Sequence, residues 1–357
     1  MDAYFLDTDD ERWADILTRV HHDVDHLPEY LAAYDAFRGN TSRLAVVEDA
    51  DGILIVPLRL QRSDGGSLDA ASAEAHSAPL FTAGTSTQWR RAAIRTLLQF
   101  LRRRDVVTLF LRFHPLLDSS PSDFARFGAV VEHGETFNIP LAQPLEEIRA
   151  AMSKTHRRGI RKFRAADYDY GPDEGWRNLP EFSEIYRDTM DRVGATDDFR
   201  FTLDFFERLR DNLGDHVTLW SLEVDGRLAF GSIVTECGGT VRGLYGAAHP
   251  DFHGKIPQIG AYDAEIEWAL ERGARNYYFD GAATTSLRQF KERMTTHRPR
   301  AITARIVIDP VEYGRACERW ERLAGRSVGY ADTYFPPYRK WPEPALRHTG
   351  EYPRGPG

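Results

Sequence analysis

The sequence predicts an α/β protein of two tandem domains, each a mixed, mainly antiparallel sheet flanked by helices. Three observations carry that reading. At 357 residues the chain is too long for one ordinary core and fits two domains. Its hydrophobic period switches repeatedly between helical spacing and short strand-like runs. Each half also supplies helices, an antiparallel hairpin, a crossover helix and a later strand in the same order, although no residue-level repeat links the halves.

In the first half, apolar spacing at Trp13, Ile16, Leu17 and Val20 signals a helix, and Pro28 opens another that carries Tyr30, Leu31 and Tyr34. The runs 44–48 and 53–60 flank Asp51-Gly52 and read as a hairpin with that dipeptide as its turn. Gly, Ser and Ala dominate from Ser63 to Ser77, which reads as a surface loop. A helix over 87–104 precedes an apolar strand over 106–113, and a strand over 137–141 closes a first domain of residues 1–144.

The second domain, 145–335, opens with an amphipathic helix over 145–166 and helices over 179–193 and 203–213. A three-stranded meander follows (217–224, 228–236, 240–245), punctuated by Asp225-Gly226 and Gly238-Gly239. A helix over 259–272 leads into a strand at 276–279, then a short helix at 286–294, a strand at 301–308 and a helix at 310–323. Prolines crowd positions 336–357, which read as an irregular tail.

Composition narrows the function classes. A hydrophobic share of 42% and a charged share of 28% describe a globular chain. No apolar run approaches the ~20 residues of a bilayer span, and the first residues are acidic where a secretory signal is basic and then apolar. The expectation is a cytoplasmic protein without membrane insertion. Cys237 and Cys317 suit a reducing compartment, exclude a cysteine-rich zinc site and are expected to be buried thiols. His21, His22 and His26 come nearest to a histidine cluster, but 22 and 26 share a face only in a helix, so no metal is expected.

The net charge of −8 argues against a protein that coats nucleic acid, yet charge is unevenly placed. Lys154, Arg157, Arg158, Arg161, Lys162 and Arg164 put six cations into eleven residues with no acid among them. On a helix, 154, 158 and 161 share one face and 157, 161 and 164 a neighbouring one, a stripe suited to the phosphates of a tRNA acceptor stem. A solvated basic face is the alternative.

Several blocks occur in a recognisable order: His156 to Lys162, Tyr186-x-x-Thr189-Met190-x-Arg192, Leu244-Tyr245-Gly246-Ala247, Tyr278-Phe279-Asp280-Gly281 and Ser286-Leu287-x-x-Phe290-Lys291. Pro79-Leu80-Phe81-x-x-Gly84 and Arg112 to Leu117 precede them. Through these blocks the sequence resembles the Fem-type aminoacyltransferases of the GNAT superfamily, a group that includes peptidoglycan interpeptide-bridge enzymes. The resemblance implies two GNAT-like domains and amide formation, in which a substrate amine attacks the ester carbonyl of an aminoacyl-tRNA without a covalent enzyme intermediate. Independently, no Gly-x-Ser-x-Gly elbow occurs and neither cysteine has a motif-level partner base.

By this resemblance Lys291, after Phe290, is the cation that faces the developing oxyanion, a duty worth roughly 3–4 kcal/mol of barrier. Read from the residues alone, Lys291 is a surface lysine beside Glu292 and Arg293. Tyr245, Tyr186 and Arg192 match acceptor-binding positions, where an aromatic hydroxyl and a guanidinium hold a phosphate or carboxylate. From the residues alone Tyr245 is a core residue at a strand end, and Arg192 is a cation favoured by a helix C-terminus. Arg112, His114 and Phe290 are further substrate-binding candidates, although a strand ended by Pro115 carries the first two for structural reasons as well.

Two departures from the pattern matter. Coenzyme A-dependent relatives cradle a pyrophosphate on a glycine-rich loop opening a helix; in the stretch 249–261, Pro257 removes an N–H and the glycine spacing differs. Asp280 stands where relatives often carry glycine, and it either binds the acceptor amine, acts as a base or caps a turn. The expectation is therefore an aminoacyltransferase with aminoacyl-tRNA as co-substrate, no resident cofactor, and a peptidoglycan precursor or small metabolite amine as acceptor. An acyl-coenzyme A N-acyltransferase and a non-catalytic binder with the same fold are the alternatives.

Overall fold

The computed structural model describes residues 1–63, 65–252, 254–282, 284–328 and 334–340. The chain runs β1 (Asp2–Asp7), α1 (Arg12–Leu17), α2 (Pro28–Arg38), β2 (Ser42–Asp49), β3 (Gly52–Arg62), β4 (Leu68–Ser72), β5 (Leu80–Phe81), α3 (Thr87–Arg102) and β6 (Val106–Arg112). Then follow α4 (Pro121–Phe124), β7 (Ala129–Glu135), β8 (Phe137–Pro140), α5 (Leu145–Ala151), α6 (Lys154–Ala165), β9 (Tyr170–Pro172), α7 (Leu179–Arg192) and α8 (Leu203–Leu213). The meander β10 (Val217–Val224), β11 (Arg227–Cys237) and β12 (Thr240–Ala248) leads to α9 (Ile259–Glu271), β13 (Asn276–Asp280), α10 (Thr285–Glu292), β14 (Arg300–Val307) and α11 (Pro310–Ala324).

Two sheets organise these elements. The first has the order β1-β2-β3-β4-β6-β14-β7 with β5 on β3, and the second β8-β13-β12-β11-β10-β9. The two are interleaved in sequence. The strand expected to close the first half, β8, pairs with β13 of the second sheet, and the late strand β14 returns to lie between β6 and β7.

Alternation explains how the layers pack. Along β2, Ala45 and Val47 face α3, whose Ala93, Ile94, Leu97 and Phe100 repeat at helical spacing. Leu44 and Val46 face the other way, into a core shared with α2, α7, α8 and the second sheet. A third cluster packs Ile266 and Ala269 of α9 against Val234, Val241 and Tyr277. One continuous apolar layer thus joins the lobes.

Three local expectations change. The 63–77 segment contains β4, an internal strand of the first sheet; its Leu-Asp-Ala-Ala-Ser sequence lacks β-branched residues, so pairing overrides propensity. The hairpin turn is Ala50-Asp51, because Gly52 pairs with Asp49; Gly52 is required by packing, since a Cβ there would meet Thr85 at 2.6 Å. The 145–166 helix is two helices, because the Ser153 hydroxyl accepts the His156 N–H and starts α6 afresh. Within the tail, Tyr338 and Arg339 bond Asp69 at 2.6 and 2.7 Å; positions 341–357 lie outside the described residues. Among the described residues no helix is long and apolar enough to cross a membrane.

Candidate active site

A gap opens in the second sheet where its two parallel strands part. Strands β12 and β13 are bonded only over Thr240–Arg242 and Asn276–Tyr278. Beyond that point β12 continues to Ala248 while β13 ends at Asp280, with a register shift against β8 between Tyr278 and Asp280. Asp280 adopts φ +66°, a left-handed conformation uncommon for a residue with a Cβ. Glycine would adopt it freely, so the carboxyl group stands here against a backbone cost.

Lys291 anchors this corner from below. Thr284 caps α10 through the Leu287 N–H, which aims the helix back at the end of β13. Lys291 as a residue is 9% exposed, and its ammonium donates to the carbonyls of Phe279 at 2.5 Å and Gly281. It does not lie on the surface, contrary to the reading of α10 as a simple amphipathic helix. Burial lowers its pKa to about 8, partly opposed by Asp280 and reinforced by Arg242. Two of its three N–H donors are committed and one remains. From α6, His156 bonds the Phe290 carbonyl at 3.0 Å and packs against the Phe290 ring.

The first lobe completes the site. Arg242 of β12 lies buried between Asp25 at 2.8 Å and Asp280, and His76, just beyond β4, reaches Asp280 Oδ1 at 2.6 Å. Burial works against ionisation of Asp280, but Arg242 and then His76 outweigh it and hold the carboxyl well below its usual range. Its side chain remains 37% exposed, so the carboxylate is the accessible end of a charged chain running from Asp25 through Arg242 to Asp280 and His76. Beside it, His114 Nε2 donates to Asp23 at 2.9 Å and its Nδ1 accepts the Leu116 N–H. Asp23, Asp25 and His114 bring ligand-type atoms within 4.8 Å of one another; Asp23 accepts from His114 and Asp25 pairs with Arg242.

The remaining candidates fall into three places. Tyr245 and Tyr186 sit in an aromatic cluster with Tyr34, Phe201, Phe205 and Phe206; the Tyr245 hydroxyl meets that of Tyr34, and Tyr186 donates to the Phe199 carbonyl at 3.0 Å. Arg192 lies exposed on the last turn of α7, and His114 is buried as described. Arg112 is half-buried on β6 with its guanidinium over the Phe110 ring. On α6, Lys154, Arg158, Arg161 and Lys162 are exposed, whereas Arg157 donates to the Ala150 carbonyl at 2.9 Å and Arg164 pairs with Asp263 at 3.1 Å. Of the thiols, Cys237 is buried and Cys317 only half-buried; burial pushes both upward, so neither is an activated nucleophile.

His76, Asp23, Asp25 and Arg242 carried no motif in the sequence. Only the charge of Arg242 inside an otherwise apolar strand offered a signal, because an isolated buried guanidinium requires partners.

Residues 150–292 match the acetyltransferase (GNAT) domain family. A search of curated protein sequences finds no significant match. Among solved structures, FemX superposes with a TM-score of 0.69 at 12% identity, covering 87% of this chain and 98% of that one. L-PGS from Bacillus licheniformis gives 0.56 at 13% identity, over 84% of this chain and 92% of that one. The C-terminal domain of a putative lysylphosphatidylglycerol synthetase from Agrobacterium fabrum gives 0.55 at 13%, over 85% and 92%. Family match and superposition agree on the fold: residues 150–292 match the acetyltransferase (GNAT) domain family, and the chain as a whole shares the two-sheet α/β fold of FemX.

Proposed function

We propose that the protein is an aminoacyltransferase that moves an amino acid from aminoacyl-tRNA to the amine of a peptidoglycan precursor or small metabolite. The observation that carries this reading is the Lys291 ammonium, fixed by the Phe279 and Gly281 carbonyls where β12 and β13 part. The acceptor nitrogen adds to the ester carbonyl; the C–N bond forms, the ester C–O bond breaks, and the ribose hydroxyl leaves with the proton the amine gives up. The third N–H of Lys291 supports the negative oxygen of that addition. Asp280, held ionised, receives the acceptor as its ammonium, which gives one proton to water to become the attacking amine. Tyr245, Tyr186, Arg192, Arg112, His114 and Phe290 are the acceptor-side residues the family resemblance suggests, of which His114 packs against His76 and Tyr278, and Phe290 against His156.

The exposed cations of α6 favour a tRNA donor. At the start of α9, Phe163 of α6 occupies the space a Cβ on Gly260 would take, and Pro257 lacks an N–H, which leaves that helix end poorly suited to a coenzyme A pyrophosphate. An acyl-coenzyme A donor is the second reading, favoured by the acetyltransferase family match over 150–292. Incubation with total charged tRNA or with acyl-coenzyme A, followed by mass spectrometry of the amine products, decides between them. Reversal of Arg158 and Arg161 to Glu should weaken tRNA binding and flatten its dependence on salt; an unchanged slope would remove α6 from the donor site.

Asp280→Gly is expected to fold, because φ +66° costs glycine nothing and the buried Arg242 keeps Asp25 as a partner. The loss of a charge-assisted contact should raise the acceptor KM roughly tenfold or more. Saturation kinetics with an unaltered KM would take Asp280 out of acceptor binding.

A further inference from the structure

The two faces of the split in the second sheet carry different groups. Tyr278 and Asp280 of β13 lie on the side of the lobe junction, where His76 contacts each. Tyr277 and Phe279 point the other way, toward α9, where Tyr277 bonds Glu265 and Phe279 packs against Tyr262. Helix α6 packs on this second side too, its Gly159 against Ile259 and its Phe163 against Gly260. The exposed α6 cations that the transfer reading gives to tRNA therefore belong to the α9 side, and the acceptor-binding Asp280 to the other.

Tyr262, near the start of α9, sits under the gap on that side. Its ring centroid is 5.9 Å from that of Phe279, whose carbonyl holds Lys291, and 5.6 Å from that of Phe290, the residue before Lys291. Strand β12 makes room for it: a Cβ on Gly243 would lie 3.9 Å from the ring, and one on Gly246 3.7 Å from the hydroxyl oxygen. The ring thus runs along the strand with its hydroxyl end at Gly246. Gly246 is exposed although β12 is an interior strand of its sheet, because β13 has left its side and the gap is open there. Tyr170 and Tyr277, on the same face, both give their hydroxyls to Glu265. That of Tyr262 forms no hydrogen bond among the described residues and is not one of the buried polar atoms without a partner, so it faces the open gap. Burial and then the Glu265 carboxyl raise its pKa above that of a free phenol, which keeps it a donor.

We propose that the Tyr262 hydroxyl donates a hydrogen bond to the ribose oxygen that leaves the donor ester, with donor and acceptor reaching the reacting carbonyl from opposite faces of the split sheet. This role rests on the transfer reading and adds to it a residue that no sequence motif marked. As the ester C–O bond breaks, negative charge builds on the ribose oxygen; the phenol shares its hydrogen without giving it up, and the proton that ends on the ribose remains the one the amine loses. Lys291 attends the carbonyl oxygen instead. Steady-state kinetics of the full chain with charged tRNA and the amine found among its products test the assignment. Tyr262→Phe keeps the ring contacts and should lower the turnover number by roughly tenfold or more, with the KM for tRNA and for the amine within about twofold and the melting temperature unchanged or higher, since no bond inside the protein is lost. Tyr170→Phe removes a hydroxyl that Glu265 does bind and should give the reverse pattern, a lower melting temperature at wild-type turnover. The proposal alone is overturned if Tyr262→Phe turns over within about threefold of wild type, if it melts lower, or if Tyr170→Phe loses turnover equally. If the wild type forms no amide from charged tRNA, the transfer reading falls and the Tyr262 role with it.

Discussion

Lys291→Ala is expected to lower the turnover number of amide formation by roughly 100- to 1000-fold, the range for loss of one preorganised oxyanion donor, with the acceptor KM little changed. The ammonium is held in place before reaction by two backbone carbonyls, so no reorganisation is needed as charge develops. Its pKa of about 8 sets a pH signature: turnover should decline as pH rises through that value and the amine becomes neutral. Lys291→Arg, whose charge does not titrate, should abolish this descending limb even where overall activity is reduced. Stability moves the other way. The folded-state value lies below the 10.5 of a free lysine, so the unfolded chain binds the extra proton between the two values, and Lys291 destabilises the fold progressively less as pH climbs through that window. A Lys291→Ala enzyme within threefold of wild type would exclude the oxyanion role.

Arg242→Met should cost about 3–5 kcal/mol of stability, the usual penalty for breaking a buried ion pair from one side. Asp25 is fully buried and keeps one oxygen without a partner even in the intact protein, so removal of the guanidinium leaves an uncompensated charge in the core between lobes. The Asp25→Asn, Arg242→Met double variant should recover much of the loss, since the orphaned charge is then gone. Denaturant midpoints at constant m-value measure both. A single-variant loss below 1 kcal/mol would mean that water enters the lobe junction and screens the pair.

Helix α3 was legible because Trp89, Ala93, Ile94, Leu97 and Leu101 form one stripe, and the meander because Asp225-Gly226 and Gly238-Gly239 mark its turns. Lys291 and Asp280 were singled out through motif position, whereas His76 and Arg242, which contact Asp280, were not. His76 follows a strand whose small residues carry no β signal, and its partner is 204 residues away. Asp23 and Asp25 look like ordinary polar residues until long-range pairing buries them. Local spacing reports the face of an element; it carries no information about which distant element that face will meet. The same limit hid the exchange of β8 and β14 between sheets, since each reads simply as a strand wherever it pairs.

That exchange has a practical consequence for anyone recombining donor and acceptor specificities between relatives. A chimera cut at residue 144 or 145 would carry β8 with the wrong partner sheet and would separate β6 and β7 from the β14 that zips them together. Swappable units must instead be discontinuous, with 1–135 joined to 300–324 and 137–292 inserted between them. The molecule is therefore one domain threaded through another, and a modular exchange of its lobes must respect two crossings of the chain.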